Sequence, residues 1–195
     1  RFLLSTSNFK LLGGESTFNF TAGAPASSLD RAIRCTGSLS AEFGVSGTIA
    51  VGATSFTADT AGEAATLTVG DWLFVIHHDV SNYVRTEFKQ VRSVSGTTIN
   101  VTTPFAQAFD ATYTIEWVRV STARTNVAIS GLTIVTSDTV NDNIGIDAQA
   151  GLIDLTVEDC VFDMAKGLAW NVYLVQNPQL HRNVVKRQPG RRSAI

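Results

Sequence analysis

The sequence predicts an all-β protein: a solenoid of stacked coils interrupted by a small antiparallel β module. Three observations lead there. A short phrase occurs twice, as Asn126-Val-Ala-Ile-Ser-Gly-Leu-Thr-Ile134 and as Ile153-Asp-Leu-Thr-Val-Glu-Asp-Cys-Val-Phe162, with Ile129, Leu132 and Ile134 each 28 positions before Val157, Cys160 and Phe162. A weaker third copy, Leu180-His-Arg-Asn-Val-Val185, sets Leu180 and Asn183 23 positions after Val157 and Cys160. Between Ala41 and Val120 the phrase vanishes, and short strands with tight turns replace it. The boundaries that follow are coil sequence over 1–40, a module over 41–120, coils over 121–186 and a basic tail over 187–195.

Within each copy apolar residues alternate up to a small or polar residue, Gly131 or Asp159, and then alternate again. Alternation sends every second side chain inward, so each coil carries an apolar row that only another coil can cover. Stacked parallel coils do this, each strand pairing with the coils above and below. The reading requires Ile129, Val157 and Leu180 to form one interior column.

The first 40 residues hold an earlier coil. Asn8-Phe-Lys-Leu-Leu-Gly-Gly14 aligns with Asn126-Val-Ala-Ile-Ser-Gly-Leu132 at a spacing of 118, too long for neighbouring coils unless a module lies between. On that reading the spacing contains the module and one or two coils. Thr17–Thr21 adds an alternating strand, Ala22–Ser28 reads as a turn or loop, and Leu29-Asp-Arg-Ala-Ile33 as a single helical turn.

In the module, Thr48–Val51, Ser55–Thr57, Trp72–Ile76, Thr86–Val91, Thr98–Thr102 and Tyr113–Val118 read as six strands, with turns at Gly52, Gly70-Asp71 and Ser95-Gly96. Such spacing argues a small antiparallel barrel or sandwich. Trp72 and Trp117 are expected in its core. His77 and His78 are metal-type ligands, but neighbours on a strand face opposite ways, so a solvated hairpin end is the better reading.

Composition bounds the function. A chain of 195 residues, 44% hydrophobic and 16% charged, is globular, and a net charge of −2 excludes a general electrostatic case for nucleic acid. No apolar run approaches the ~20 residues that span a bilayer, so a soluble protein or assembly component is expected, and the opening Arg1-Phe-Leu-Leu suggests a fragment or processed product. Cys35 and Cys160 lie in unrelated phrases; Cys160 falls at an inward position, where a thiol acts as a small apolar residue. Lys186-Arg-Gln-Pro-Gly-Arg-Arg192 carries its cations without apolar periodicity and reads as a disordered tail.

The phrases Asn126–Ile134, Leu155–Phe162 and His181–Val185 resemble the coil phrases of the pectate-lyase-like right-handed parallel β-helix superfamily, which includes phage tailspikes and tail-associated depolymerases. The resemblance covers residues 121–186 well and 1–40 poorly. Leu67–Ile76 and Val91–Val101 resemble small β modules inserted into phage β-helix proteins. The resemblance implies a tail or tailspike component that engages cell-surface polysaccharide, located in the virion tail or extracellular, trimeric or joined to other tail proteins. It is uninformative about the reaction, since one fold hosts lyases, hydrolases and binders.

Asp138, Asp142, Asp147, Asp154, Glu158, Asp159 and Asp163 crowd the coil region, and glycan hydrolases place an acid and a base on such a face. Spacing alone does not select a pair, and the competing reading makes them turn residues and solvated outward positions. Related hydrolases carry Asn-Thr-Asp, Asp-Asp, Gly-His-Gly and Arg-Ile-Lys phrases; this chain has Asn141-Asp142-Asn143 and none of those. A lyase needs a strong base such as Lys166, which also fits an inter-coil loop with Gly167, and often calcium, which Glu158 and Asp159 could hold. If the protein is an enzyme, a polysaccharide lyase or glycoside hydrolase acting on acidic glycans, the candidates are Asp142, Asp147, Glu158 and Lys166. Trp170 and Tyr173 are the aromatics placed for a sugar ring or a second subunit, and His181 and Arg182, with Lys166 the cations well placed in the repeat, complete the ligand-binding candidates. No cofactor is expected unless a lyase takes calcium. A non-catalytic structural virion protein is the third reading.

Overall fold

The computed structural model describes residues 2–14, 16–20, 30–78, 84–136, 143–165 and 167–187. In chain order the strands begin with β1 (Phe2–Leu4), β2 (Lys10–Leu12), β3 (Thr17–Phe20) and β4 (Asp30–Thr36). Next come β5 (Ser38–Ser46), β6 (Ser55–Ala58), the short helix α1 (Ala61–Ala64), β7 (Trp72–His78), β8 (Val84–Ser95), β9 (Thr98–Val101) and β10 (Thr114–Thr122). The chain closes with β11 (Arg124–Ser130), β12 (Thr133–Thr136), β13 (Asn143–Glu158), β14 (Val161–Met164), β15 (Gly167–Gln176), β16 (Gln179–His181) and β17 (Val184–Arg187). Two compact units result: residues 1–37 with 122–195, and residues 38–121.

The first unit is a stack of parallel strands. Leu11 pairs with Ile129, Ile129 with Val157 and Val157 with Leu180, so the expected column exists in register and extends one rung further; Ile129 and Val157 are buried, but Leu180, expected inside, is exposed. Ile134 pairs with Phe18 and Phe162, and Phe162 with Val185, in a second sheet. Ile33, Cys35, Val127, Ile129, Ile134, Ile146, Leu155, Val157, Cys160 and Phe162 fill the space between as one core. Both cysteines are buried and free.

The corners explain why the repeat has its spelling. Asn8, Asn126, Asp154 and Asn177 all take φ between 51° and 58°, and successive coils align them. Left-handed backbone is costly for most L-residues, and Asn and Asp tolerate it best after glycine. Asn126 Nδ2 donates to Asn8 Oδ1 at 2.9 Å and Asn177 Nδ2 to Asp154 Oδ1 at 2.8 Å, so these corners also bond along the stack. At the next corner Gly131, Asp159 and Arg182 take φ of 67°, 53° and 50°. Asn183 completes the last coil: its Nδ2 donates to Val157 O and its Oδ1 accepts from Cys160 N.

The long spacing is resolved by where the chain leaves the stack. Thr36 pairs with Gln149 and Arg124 with Leu152, so a corner that β13 turns with Ala150 and Gly151 is, one coil earlier, the 87 residues between Thr36 and Arg124. Gly37 N donates to Ala150 O at 2.9 Å before the excursion begins. Residues 8 and 126 therefore sit on adjacent rungs, with a single coil and the second unit between them in sequence.

Leu29–Ile33, expected as a helical turn, is corrected. Leu29 lies outside the described residues, and Asp30–Thr36 is a strand paired in parallel with both β1 and β13. Pairing on two sides, with Ile33 and Cys35 alternating into the core, overrides a weak local preference. Ala22–Ser28, Asp138, Asp142, Lys166 and the tail beyond Arg187 also lie outside the described residues.

The second unit is a closed six-stranded barrel in the order β10-β5-β6-β9-β8-β7, β7 pairing back to β10. Closure hides the strand edges that an open sheet would expose. Its interior holds Leu73, Val75, Val91, Ile99, Val101, Phe105, Phe109, Ile115 and Trp117. Gly52, Gly70 and Gly96 turn at positive φ, as read from sequence. Three expectations are corrected here. Thr48–Val51 is reduced to one bridge between Ile49 and Phe109, while β5, rich in serine and small residues, is a strand only because the barrel needs it to close. Trp72 is half-buried outside the core and stacks on Phe88 at 4.7 Å between ring centroids. His77 is buried, not solvated: Nε2–H donates to Asp110 O at 3.1 Å between the rings of Phe109 and Tyr113, while His78 turns the other way to Glu116. Thr60 and Glu63 form a reciprocal capping box that starts α1, a helix start written in the sequence as Thr-x-x-Glu.

Candidate functional site

The residues singled out from sequence fall into two groups on the coil stack. Asp147, Trp170 and Tyr173 belong to the part of β13 and β15 before the corner at Ala150-Gly151, while Glu158, His181 and Arg182 follow it. A bend in the coil separates them, so they form two arrangements rather than one constellation.

In the first group, β4, β13 and β15 lie side by side and repeat an apolar-polar-apolar triplet: Ile33-Arg34-Cys35, Ile146-Asp147-Ala148 and Trp170-Asn171-Val172. The apolar members pack in or against the core. The polar members make a row, Arg34–Asp147–Asn171, followed two residues later by Thr36–Gln149–Tyr173. Asp147 is wholly buried, which corrects the reading of it as a turn or solvated carboxylate. Arg31 pairs with its Oδ2, Arg34 Nε stands 3.9 Å away, and Asn171 Nδ2 and Gln149 Nε2 donate to its Oδ1 at 2.8 and 3.0 Å. A buried carboxylate keeps its charge only when paired and hydrogen-bonded in this way. The thiol of Cys35, in the adjacent position of β4, is pushed up to about 12 by burial and, secondarily, by the negative charge of Asp147.

Arg34 is half-buried, its side chain 43% accessible, with Nη2 donating to Gln149 Oε1 at 3.1 Å. Gln149 stands beside Tyr173, whose side of the row is open to solvent at 52%. Trp170 is half-buried, its ring edge-on to Phe162 at 5.4 Å, and serves packing. Arg31, Arg34, Gln149 and Asn171 were not selected from sequence. The repeated triplet was a readable signal, but it stands at spacings of 113 and 24, and the inserted unit hides the first.

In the second group Arg182 spans two carboxylates. Its Nε and Nη2 donate to Asp159 Oδ1 and Oδ2, each at 2.7 Å, and Nη2 donates to Glu158 Oε2 at 3.1 Å. The guanidinium bonds hold Asp159 below the usual carboxylate range. Arg182 is thus the cation that Glu158 and Asp159, the two carboxylates singled out for calcium, share in this structure. Among the described residues no three His, Cys, Asp or Glu side chains come together as metal ligands. His181 Nε2 is 3.1 Å from Gln179 Oε1.

Comparison with known proteins places this geometry. No protein-family profile matches the chain, and no curated protein matches it in sequence. Solved structures do match. The Gp54 tailspike of Acinetobacter baumannii bacteriophage AP22, solved in complex with A. baumannii capsular saccharide, aligns over 96% of this chain and 29% of its own at 17% identity and a TM-score of 0.56. The gp61 tailspike of Pseudomonas phage phi297 aligns over 94% of this chain and 39% of its own at 14% identity and a TM-score of 0.51. The chain thus spans about a third of the length of either tailspike. At these identities the likeness is one of fold: this chain is nearly all β, and both of these structural neighbours are phage tailspikes. No helix among the described residues is long and apolar enough to cross a membrane.

Proposed function

We propose that this chain is part of a tailspike-type right-handed parallel β-helix carrying an inserted β-barrel, and that it binds cell-surface polysaccharide from the tail of a phage virion. The observation that carries the binding role is the row Thr36–Gln149–Tyr173 beside Arg34: an exposed aromatic ring next to an amide and a guanidinium on a rigid sheet. Sugar rings stack on flat aromatic faces through their C–H groups, while fixed amides and guanidinium groups orient their hydroxyls. The fold of tailspikes, one of them solved with a saccharide, supports the same reading. The same reading includes assembly as a trimer or with other tail proteins.

Binding without cleavage is the preferred form. Asp147 is saturated by its partners and Glu158 is engaged by Arg182, which leaves neither free as the acid or base of a hydrolase. The test is incubation with bacterial capsule and uronate-containing polysaccharides. Retention with no new ends supports a receptor binder, unsaturated ends absorbing in the ultraviolet would mean a lyase, and reducing ends alone a hydrolase. Absence of retention on every polymer would favour a purely structural virion component.

A further inference from the structure

Among the described residues the charges of the first group do not cancel. Arg31 is committed to Asp147, whose remaining oxygen is taken by two amide N–H groups, so one aspartate is neutralised by one arginine. Among the described residues Arg34 is then a second positive charge with no carboxylate oxygen closer than Asp147 Oδ2, 3.9 Å away and already paired with Arg31. Its described hydrogen bond is to the neutral Gln149, and 43% of its side chain is in solvent. A guanidinium offers five donors in a planar fork that matches a carboxylate, and an amide partner occupies only one of them.

The placement matters as much as the charge. Arg34 and Tyr173 flank Gln149 from the strands on either side, β4 and β15. Parallel strands lie about 4.8 Å apart, so these two strands are separated by roughly 10 Å, the reach of a short stretch of glycan. A chain stacked on the Tyr173 ring would present its next substituents to Gln149 and Arg34. Asp147 acts on this arrangement at one remove: it neutralises Arg31 and fixes Asn171 and Gln149, a positioning residue rather than a contact.

Resting on the polysaccharide reading above, we infer that this face selects acidic glycans, with Arg34 receiving the carboxylate of a uronic or other acidic sugar while Tyr173 carries the adjacent ring.

The experiment measures retention of the protein on three immobilised polymers: polygalacturonate, its carboxyl-reduced form, and neutral dextran. Retention on polygalacturonate that falls at least tenfold after carboxyl reduction, and falls similarly in R34Q, is the expected result, as loss of one charge-assisted pair requires. R85Q removes an equivalent exposed charge from the barrel unit and leaves retention unchanged. Equal retention of R34Q and the parent protein, equal loss in R85Q, or equal binding to reduced and native polymer overturns the acidic selectivity while the polysaccharide role stands. Failure to bind any of the three overturns both. Y173A weakens binding whatever the charge of the polymer, and thermal melting of each variant separates these effects from loss of fold.

Discussion

Asn126 Nδ2 donates to Asn8 Oδ1 across 2.9 Å although 118 positions separate the two residues. Both hold φ of 54°, and both stand at the same corner of successive coils. The pair therefore reports directly whether the first coil is docked on the second. Replacing Asn126 with alanine loses this bond and places an L-side chain without a local hydrogen bond in left-handed backbone, an expected cost of about 1–2 kcal/mol in denaturant unfolding. Asn126→Gly removes the backbone cost and keeps only the loss of the bond, so it should be the milder change.

Gly37 stands where the chain leaves the coil stack. A Cβ there would meet Thr122 O, with Ala150 O and Gly151 O at 3.0 Å, all backbone atoms that cannot turn aside. Gly37→Ala should destabilise by roughly 1–3 kcal/mol through overpacking. Gly62→Ala is the contrasting control, since its Cβ would find only Thr60 Oγ1 at 3.9 Å and the helical position favours alanine. That variant should be neutral or more stable by about 0.5 kcal/mol in the same assay.

Asp147 holds the polar row together from within. Asp147→Ala removes the carboxylate that Arg31, Asn171 and Gln149 share, and the expected loss is about 3 kcal/mol or more. Unfolding free energies of the two proteins, measured side by side, check it. A loss below 1 kcal/mol would show that the row is held by something else.

The buried thiols make stability fall in alkali. The Cys35 thiol, ordinarily ionising near 9.0, is pushed up to about 12 in the fold, and Cys160 is also raised, both chiefly by burial. A raised folded value means the unfolded chain gives up its proton first. The contribution is therefore complete below pH 9 and is lost progressively from there toward pH 12. Cys35→Ala should flatten that part of the stability-versus-pH profile relative to the parent, as followed by chemical denaturation.

At the acid end the sign reverses. Arg182 holds the Asp159 carboxyl below its ordinary value of 3.8, so the stabilisation is present above that value and is lost as pH falls beneath it. Arg182→Gln should remove this part of the acid response. An unchanged profile below pH 4 would mean that the bidentate pair is not maintained in solution.

Much of the coil stack was legible because its rules are local. Alternation at Val127 and Ile129, the left-handed corner at Gly131 or Asp159, and the inward small residue Cys160 all recur within one coil, so spacings of 28 and 23 expose them. The candidate site was legible only in part. Tyr173 could be picked as an aromatic on a strand, but Asp147 looked like one more surface carboxylate because its partners Arg31 and Arg34 lie beyond the inserted unit.

By itself, the sequence determined the alternation, the repeat, the turn glycines of the barrel and the register that stacks Ile129, Val157 and Leu180, since side-chain direction on a strand follows from position in the chain; the exposure of Leu180 it did not foresee. Only the tertiary structure decided that Asn8 touches Asn126, that β5 closes the barrel, and that Arg31, Arg34, Gln149 and Asn171 gather on Asp147. Those relations depend on which strands become neighbours across more than a hundred residues. Parallel stacking sets that through backbone pairing and shared burial, neither of which is encoded in any short stretch.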